Sequence, residues 1–386
     1  PRFRSIADTL ANFLPSFQRT TLQPRGLVNS GNMCFMNSIL QALLFCPPFF
    51  NLLKKIETHS THSFNSSTPL TDSLVAFVNE FRESKPLPIS TAADEVGEPL
   101  SPENVYNALR SLKKFDSLRG RQEDAQEFMG FLLEGLHDEF MSVGRSQKSA
   151  NGAAAEATNG GNGATGAATP YAWMEVGKKN RVSSTRTVAA NDSPITQIFG
   201  GKQRSVLRCP GSKDSITYEP FQSLLLDISP PAVKTVEDAL NHLVQPETLE
   251  GFTDPRGFTV QATKQLQLEE LPPVLILHIN RFVYTSANGA QKLQKPLEYG
   301  HHLVLPSTLF PPHHRQPKKP IQYDLLAVVY HHGRHLTGGH YTCDILQSKS
   351  QWLNIDDTAI KRIAHETVIT QGSDDCLPYV LFYVRN

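Results

Sequence analysis

Apolar residues at helical spacing dominate the first third of the chain. The earliest such pattern follows a polar turn that begins near Gly26, and it comprises Met36, Ile39, Leu40, Leu43 and Leu44. Residues three and four positions apart lie on one face of a helix, so the pattern predicts an amphipathic helix. Pro47 and Pro48 are expected to end it.

Three further helices are predicted before residue 141. The first covers Leu70 to Phe81, and the second follows Ser101, which has a side chain favoured at a helix N-cap. The third is the segment RQEDAQEFMGFLLEGLHDEF at residues 121–140, whose apolar positions share one face. Residues 1–24 predict a loosely structured lead-in segment.

The pattern changes after this helix. Residues from about 145 to 169 are small, polar and of low complexity, so they predict a disordered insertion that cannot bury enough apolar area to offset its ordering entropy. One short helix is predicted in TVEDALNHLV. Helices first and strands later predict an α+β protein with an antiparallel sheet. The predicted strands are SVLRC, SITYEPFQSLLLDIS, FTVQATKQLQL, PPVLILHINRF, YDLLAVVYHHG, HYTCDIL, WLNIDD and PYVLFYVR.

Composition narrows the class of protein. The 386 residues are 39% hydrophobic, which is enough to build the core of a soluble globular protein. Lys and Arg together number 37, as do Asp and Glu, and this balance disfavours a nucleic acid or an anionic membrane as partner. No apolar run approaches the roughly 20 residues of a membrane span.

The cysteines and the first residues point to a cellular compartment. Five widely spaced cysteines without a CxxC motif predict neither a disulfide framework nor a four-cysteine zinc site, so we expect no metal site and no cofactor. Free thiols are typical of a reducing, intracellular compartment, either cytoplasmic or nuclear. The opening residues lack the apolar core of a signal peptide, and the missing initiator methionine indicates an excised domain.

Cys34 lies where a Gly/Asn-rich turn becomes the first helix. Unsatisfied backbone N–H groups and the positive end of the helix dipole favour a thiolate at such a position. A buried cysteine can equally serve as a small apolar side chain, and position alone does not distinguish the two interpretations.

His340 is the candidate base for this nucleophile. It begins a predicted strand after Gly338 and Gly339, and the next strand ends in Asp356 and Asp357. If the two strands pair as a hairpin, one of these carboxylates can orient the imidazole and stabilise its protonated form. A lone histidine after a glycine turn is otherwise a surface or core residue.

Asn29 precedes the cysteine by five residues. Its amide could donate to a developing oxyanion beside backbone N–H groups of the helix start. Asn29 and Asn32 could also be simple turn residues, and the pattern leaves both interpretations open.

Several segments together resemble the ubiquitin-specific proteases, which are papain-like cysteine deubiquitinases. The resemblance runs from about Gly26 to Arg385 in the order expected for that family. It is carried by GLVNSGNMCFMNSILQAL, RQEDAQEFMGFLLEGLHDEF, LPPVLILHINRF, YDLLAVVYHHG, GGHYTCDIL followed by WLNIDD, and YVLFYVR.

The resemblance implies roles for the catalytic candidates. Cys34 matches the nucleophile, His340 the general base and later acid, and Asp356 the third member of the triad. Asn29 matches the oxyanion position, and Asp357 the adjacent assisting acid.

The resemblance also implies contacts to the ubiquitin tail. Gln122, Asp124 and Glu127 match positions that hold it, in agreement with carboxylates that clamp arginines, although a solvated helix face is the structural alternative. His331 is expected to be neither ligand nor catalyst. The resemblance implies that a second set of residues flanks a narrow channel for the terminal Gly-Gly of ubiquitin. That set is His332, Gly338, Gly339 and Tyr341.

The implied fold is a right hand. Residues 25–386 would form the catalytic domain, with a helical thumb at about 25–141 and β-stranded fingers and palm at about 170–386. Of the paired cysteines that bind zinc in the fingers of many members, only Cys209 is present, which implies a zinc-less subgroup. One such branch works with an RNA-binding, nuclear-transport-factor-like protein through upstream sequences, so a regulatory partner of that kind is an expectation.

The sequence leaves three candidate functions. The first is a cysteine isopeptidase that removes ubiquitin from proteins. The second is a catalytically silent ubiquitin-binding scaffold, which the presence of all the catalytic residue types disfavours. The third is a peptidase for a ubiquitin-like modifier.

Overall fold

A computed structural model describes most of the chain, and it defines nine helices and eighteen strands within the described residues. The described residues are 5–58, 66–84, 96–111, 122–156, 171–176, 183–188, 192–253, 257–285, 289–314, 320–334, 338–348, 350–370 and 375–386. The helices are α1 (Ile6–Ala11), α2 (Cys34–Leu44), α3 (Pro47–Glu57), α4 (Pro69–Asn79), α5 (Glu103–Ser111), α6 (Ala125–Glu156), α7 (Pro194–Phe199), α8 (Val236–Leu243) and α9 (His365–Thr370).

The strands lie mainly in the second half of the chain. They are β1 (Arg25–Leu27), β2 (Gly97–Leu100), β3 (Tyr171–Val176), β4 (Ser183–Val188), β5 (Gly201–Arg208), β6 (Ser215–Phe221), β7 (Leu224–Asp227), β8 (Glu247–Thr253), β9 (Thr259–Glu270), β10 (Val274–Asn280), β11 (Phe282–Thr285), β12 (Gly289–Lys292), β13 (His302–Leu305), β14 (Ile321–His332), β15 (His340–Ser348), β16 (Gln351–Asp356), β17 (Ala359–Ile363) and β18 (Cys376–Arg385).

The first helix pair differs from the predicted pattern. All eleven residues of α2 are buried, so the helix lies inside the core and has no solvent face. Pro47 and Pro48 also begin the next helix, since they occupy the first turn of α3. Backbone N–H groups in a first turn have no acceptor within the helix, so proline loses no hydrogen bond there, and its fixed φ suits the helix. The prediction of a helix end was right, but the prediction missed the helix that begins there.

No single helix among the described residues has the length and apolar composition of a membrane span. Helices α2 and α3 pass that test only when taken together, and they are bent by 83° at their junction.

Helix α6 is longer than the sequence pattern predicts. It runs from Ala125 to Glu156, so its last turns lie inside the range expected to form a disordered insertion. The rest of that range, residues 157–169, lies outside the described residues. The predicted helices at Leu70 to Phe81 and after Ser101 correspond to α4 and α5.

The central sheet carries the site. Its strand order is β17-β16-β15-β14-β18-β10-β7, with β13 paired to β14. One face packs against α2 and the other helices of the N-terminal half, and the opposite face packs against α8 and α9. Antiparallel pairs predominate, as predicted, although β7 joins the edge in parallel to β10.

A second sheet has six strands. Its order is β3-β4-β6-β5-β9-β8, and it continues into the central sheet through β9 and β10. Strand β8 was not predicted, because its residues are largely exposed and show no apolar alternation. The α+β class predicted from the order of elements is confirmed.

Candidate active site

Cys34 is the first residue of α2, and only 3% of its surface is exposed. The polar turn before it is strongly bent, since Gly31 and Asn32 have φ angles of 116° and 55°. The capping residue Met33 makes no side-chain hydrogen bond to the helix start. The first N–H groups of an α-helix have no acceptor within the helix, and in α2 these groups lie beside the sulfur.

His340 lies between the sulfur and a carboxylate. Strands β15 and β16 pair as the predicted hairpin, with Cys343 opposite Ile355, so the start of β15 meets the end of β16. His340 Nε2 is 2.5 Å from Asp356 Oδ1. The side chain of Cys34 lies near enough to this ring to raise its pKa, and Asp356 engages its Nε2.

These contacts change the charge of the imidazole. The neighbouring Cys34 side chain raises the pKa of His340 most, burial lowers it, and the hydrogen bond to Asp356 raises it further, to about 9. His340 is therefore protonated at neutral pH. The structure thus brings together three residues that the sequence analysis selected from distant segments.

Asp357 organises the turn in front of the cysteine. Its Oδ2 accepts a 2.9 Å hydrogen bond from Asn29 Nδ2, and its Oδ1 accepts one of 2.8 Å from Asn37 Nδ2. Asn29 Oδ1 in turn accepts from the backbone N–H of Met33 at 2.8 Å. The Asn29 amide is therefore held at both ends, with one of its two N–H groups directed to Asp357 and the other left to donate.

A close backbone approach brings Asp357 to this position. The N–H of Leu27 donates to the carbonyl of Asp357 at 2.9 Å. A Cβ on Gly26 would lie 2.5 Å from the Cα of Thr358, so only glycine fits there. Asp357 itself has a φ of 49°, which turns its carboxylate back toward α2.

The start of α6 closes another side of the site. Gln122 Nε2 lies 3.9 Å from the sulfur of Cys34, close enough for a hydrogen bond to sulfur. Asp124 Oδ1 caps α6 by accepting from the N–H groups of Gln126 and Glu127 at 2.8 and 3.0 Å. Its other oxygen accepts from the hydroxyl of Tyr379.

Of the three residues expected to clamp a basic tail, Glu127 is the exposed one. Asp124 is occupied as a helix cap, and Gln122 faces the sulfur. The carboxylate of Glu127 is therefore the one among them that is open to a ligand.

The expected channel residues divide into two groups. Tyr341 is 3% exposed, and its ring packs at a tilt against that of His331. His331 is 2% exposed, and burial lowers its pKa to about 3. The expectation that His331 is neither ligand nor catalyst stays a prediction. His332 is half-buried, and its Nε2 is 2.8 Å from Thr342 Oγ1.

The two glycines before His340 have left-handed backbone. Gly338 has a φ of 87° and open space at its Cβ position, whereas Gly339 has a φ of 150° and a Cβ there would lie 2.6 Å from His331 Nε2 and His332 O. Residues 335–337, which precede them, lie outside the described residues.

Lys292 is a residue that the sequence analysis did not select. Its ammonium group donates to the carbonyl of His331 at 3.0 Å and to that of Gly333 at 2.5 Å. Burial lowers its pKa to about 8. Lys292 thus fixes the end of β14 just before the segment that leads to His340.

Asn37 and Tyr379 were also missed. Asn37 lies one turn after Cys34, and a polar residue on an apolar helix could have signalled a buried hydrogen bond. Tyr379 lies in the strand pattern of β18, and nothing in the sequence near it indicates that its hydroxyl reaches Asp124, 255 residues away.

Comparison with known protein families gives a match over nearly the whole chain. A family described as "Ubiquitin carboxyl-terminal hydrolase" matches residues 25–383. The "Probable ubiquitin carboxyl-terminal hydrolase 3" of Schizosaccharomyces pombe is 40% identical over 99% of this chain and 78% of its own length. "Ubiquitin carboxyl-terminal hydrolase 10" of Rattus norvegicus is 38% identical over 98% of this chain, and the chain spans 50% of that protein.

A solved structure has a similar fold. The SAGA Ubp8/Sgf11/Sus1/Sgf73 DUB module bound to ubiquitin aldehyde contains a chain that is 22% identical and superposes with a TM-score of 0.68. The match covers 97% of this chain and 72% of that chain.

Proposed function

The chain belongs to the ubiquitin carboxyl-terminal hydrolase family of thiol-dependent deubiquitinases, and we propose that Cys34 is the nucleophile with which it releases ubiquitin from protein amines. One observation carries this proposal: His340 lies between Cys34, whose side chain raises the pKa of the imidazole, and Asp356, whose Oδ1 is 2.5 Å from Nε2. A sulfur, an imidazole and a carboxylate in this order form the constellation of a cysteine peptidase.

In the first half of the reaction, the Cys34 sulfur forms a bond to the carbonyl carbon of the C-terminal glycine of ubiquitin. The carbonyl oxygen becomes an oxyanion, which the Asn29 amide and the N–H groups at the start of α2 are placed to stabilise. Protonated His340 then gives its proton to the leaving lysine nitrogen. The carbon–nitrogen bond breaks, and a thioester and a free amine result.

In the second half, neutral His340 takes a proton from a water molecule. The hydroxide oxygen bonds to the thioester carbon, and the carbon–sulfur bond breaks to release the Cys34 thiolate and the ubiquitin carboxylic acid, which loses its proton to solvent. Asp356 holds the ring in one tautomer and stabilises its charge in both halves. No metal or cofactor enters either step.

The basic tail of ubiquitin is the proposed specificity element. Glu127, exposed at the start of α6, supports this because a carboxylate there can form charge-assisted hydrogen bonds with an arginine. Asp124 supports the same surface indirectly, since it caps α6 and ties it to Tyr379. A ubiquitin-like modifier with a less basic tail should bind more weakly.

Reaction with two activity probes tests the proposed function. We expect ubiquitin vinyl sulfone to modify the chain at Cys34, and peptide mapping locates the modified residue. A vinyl sulfone made from a ubiquitin-like modifier should react at least about tenfold more slowly, because it loses a charge-assisted contact worth about 1.5–3 kcal/mol. Absence of modification by both probes would indicate a silent scaffold. Preferential reaction with the second probe would indicate a peptidase for the other modifier.

The activity should also fall at high pH. The pKa of His340 lies above its ordinary value of 6.5, so the stabilisation of the protonated ring is fully present below about 6.5 and is lost as the pH rises through about 9. Because protonated His340 is the acid for the leaving amine, kcat/KM for an isopeptide-linked substrate should decline with a midpoint near 9. A pH profile with ubiquitin linked to a lysine peptide measures this.

An Asp356→Asn variant provides the control for that profile. Removal of the carboxylate removes one of the contacts that raise the His340 pKa, so the alkaline midpoint should move to lower pH. An unchanged midpoint in the variant would contradict the assignment of this limb to His340.

We also propose that the chain belongs to a zinc-less subgroup of the family, acts inside the cell and is regulated by a protein partner. The zinc-less subgroup is supported by the cysteine content of the segment that forms the second sheet. Cys209 is the one cysteine in that segment, so the sequence lacks the paired cysteines of a finger zinc site. The support for the partner is the resemblance to a branch that also lacks those cysteines.

A further inference from the structure

A second cluster of metal-ligating side chains lies far in sequence from the catalytic residues. It comprises Glu269, near the end of β9, and His313 and His314, in a turn after the 3₁₀ helix Ser307–Leu309. The turn is closed by a 2.9 Å hydrogen bond from the N–H of His314 to the carbonyl of Pro311. The cluster therefore joins the base of the second sheet to a segment beside the central sheet.

The donor atoms have the spacing of a metal site. His313 Nε2 is 3.2 Å and His314 Nε2 is 3.0 Å from the same oxygen, Oε1 of Glu269, and all three donor atoms lie within 4.8 Å of one another. Ligands of Zn²⁺ at about 2.0–2.2 Å in tetrahedral geometry are about 3.4 Å apart. A zinc ion would therefore require only small side-chain adjustments.

The backbone directs Glu269 into this position. The pairing of β5 with β9 shifts register between Lys202 and Gln203, which face Glu270 and Leu268, so Glu269 is the extra residue of a β-bulge. Bulges turn a side chain away from the regular alternation of a strand and are common next to binding sites.

Glu269 also has an unused acceptor in a buried position. Its side chain is 13% exposed, and among the residues that the structure describes, its Oε2 atom has no hydrogen-bond partner. The neighbouring Glu270 is paired with Lys202. His313 and His314 both contact the carboxylate of Glu269, and a buried carboxylate is stabilised by a cation.

We propose that Glu269, His313 and His314 form a binding site for Zn²⁺, with water or an external group as the fourth ligand. Two imidazole nitrogens and one carboxylate oxygen are a donor set that zinc uses with an open fourth position. The proposal is independent of the function assigned above, and it places a metal at a site different from the cysteine pairs of the fingers. Its expected effect is to fasten the turn at His313 to strand β9.

A matched pair elsewhere in the chain supplies the control. His302 Nδ1 is 2.6 Å from Asp324 Oδ1, so this pair has the same two chemical groups on exposed side chains. It is not part of any cluster of three donors among the described residues. A His302→Gln variant should therefore lose a histidine–carboxylate contact and keep the zinc site.

Zinc titration of the full chain tests the proposal. The experiment uses the Cys34→Ala background, which removes the catalytic thiol as a competing ligand, and compares Glu269→Gln, His313→Gln and His314→Gln with His302→Gln. We expect one equivalent of Zn²⁺ to bind the background chain and the His302→Gln variant, with affinity at least about tenfold weaker in the three ligand variants. Thermal denaturation should show a zinc-dependent rise in midpoint only where that equivalent binds.

Four results would overturn the proposal. One is that the background chain binds no zinc equivalent, and another is that all three ligand variants bind zinc as tightly as the background. The third is that the equivalent disappears in a His340→Gln variant, which would place the ion at the catalytic residues. With Co²⁺ in place of Zn²⁺, thiolate-to-metal charge-transfer bands would likewise contradict a site made of nitrogen and oxygen donors.

Discussion

A Cys34→Ala chain is expected to bind ubiquitin with wild-type affinity and to hydrolyse ubiquitin-aminomethylcoumarin about 10⁴- to 10⁶-fold more slowly, the range seen when a member of a catalytic triad is removed. The sulfur forms the covalent bond to ubiquitin in the proposed mechanism, so no other group can form the thioester. The side chain is small and lies at a helix start, so alanine should preserve the fold. Calorimetry with ubiquitin and initial-rate measurements separate binding from turnover.

Other thiols in the chain provide the comparison. Cys209 is partly exposed and lies outside the site, so a Cys209→Ser variant should retain wild-type turnover. Cys46 is also next to a helix start, but burial raises its pKa to about 12, so it remains a thiol at neutral pH and should not react with the ubiquitin probe. Wild-type turnover by the Cys34→Ala chain would remove Cys34 from the mechanism.

The elements with local patterns were the ones that the sequence predicted well. The hairpin that carries His340 and Asp356 follows from two alternating segments joined by a short turn, and its pairing is antiparallel as predicted. The helix after Cys34 follows from apolar spacing alone. In these cases the interactions that define the element lie within a few residues, so the sequence contains them directly.

Contacts between residues that are distant in the sequence could not be predicted from local patterns. A carboxylate before a helix can cap that helix or bind a ligand. Asp124, one residue before Ala125, caps α6, and the sequence analysis did not predict this cap. Its second oxygen is held by Tyr379, on the last strand. The sequence has no local signal for that contact, because the fold alone brings the two residues together.

Asp357 shows the same limit inside the catalytic site. The resemblance indicated only an assisting acid, whereas in the structure its carboxylate accepts from Asn29 and Asn37, 328 and 320 residues away. Among the contacts of the described residues, the carboxylate that accepts from His340 is that of Asp356. The two adjacent acids therefore have separate tasks, since one orients the imidazole and the other orients the proposed oxyanion donor.

An Asp357→Asn variant should separate these tasks by lowering kcat about 10²- to 10³-fold, the usual effect of losing one oxyanion donor, with little change in KM. Asparagine accepts with one oxygen only, so its amide would face one of the two amides that Asp357 now holds. Asparagine tolerates positive φ, and the backbone at 49° should therefore persist. Steady-state kinetics with ubiquitin-aminomethylcoumarin give both constants.

The double variant with Asn29→Ala decides how Asp357 acts. If Asp357 works by holding the Asn29 amide, the double variant should be no slower than Asn29→Ala alone, because both changes remove the same donor. The alkaline midpoint near 9 should also persist in Asp357→Asn, since Asp356 still contacts His340. Two results would contradict this. One is a rate loss in the double variant equal to the product of the losses in the two single variants, and the other is an alkaline midpoint that moves as in Asp356→Asn. Either would show that Asp357 acts on the imidazole and that its orientation of Asn29 has no catalytic role.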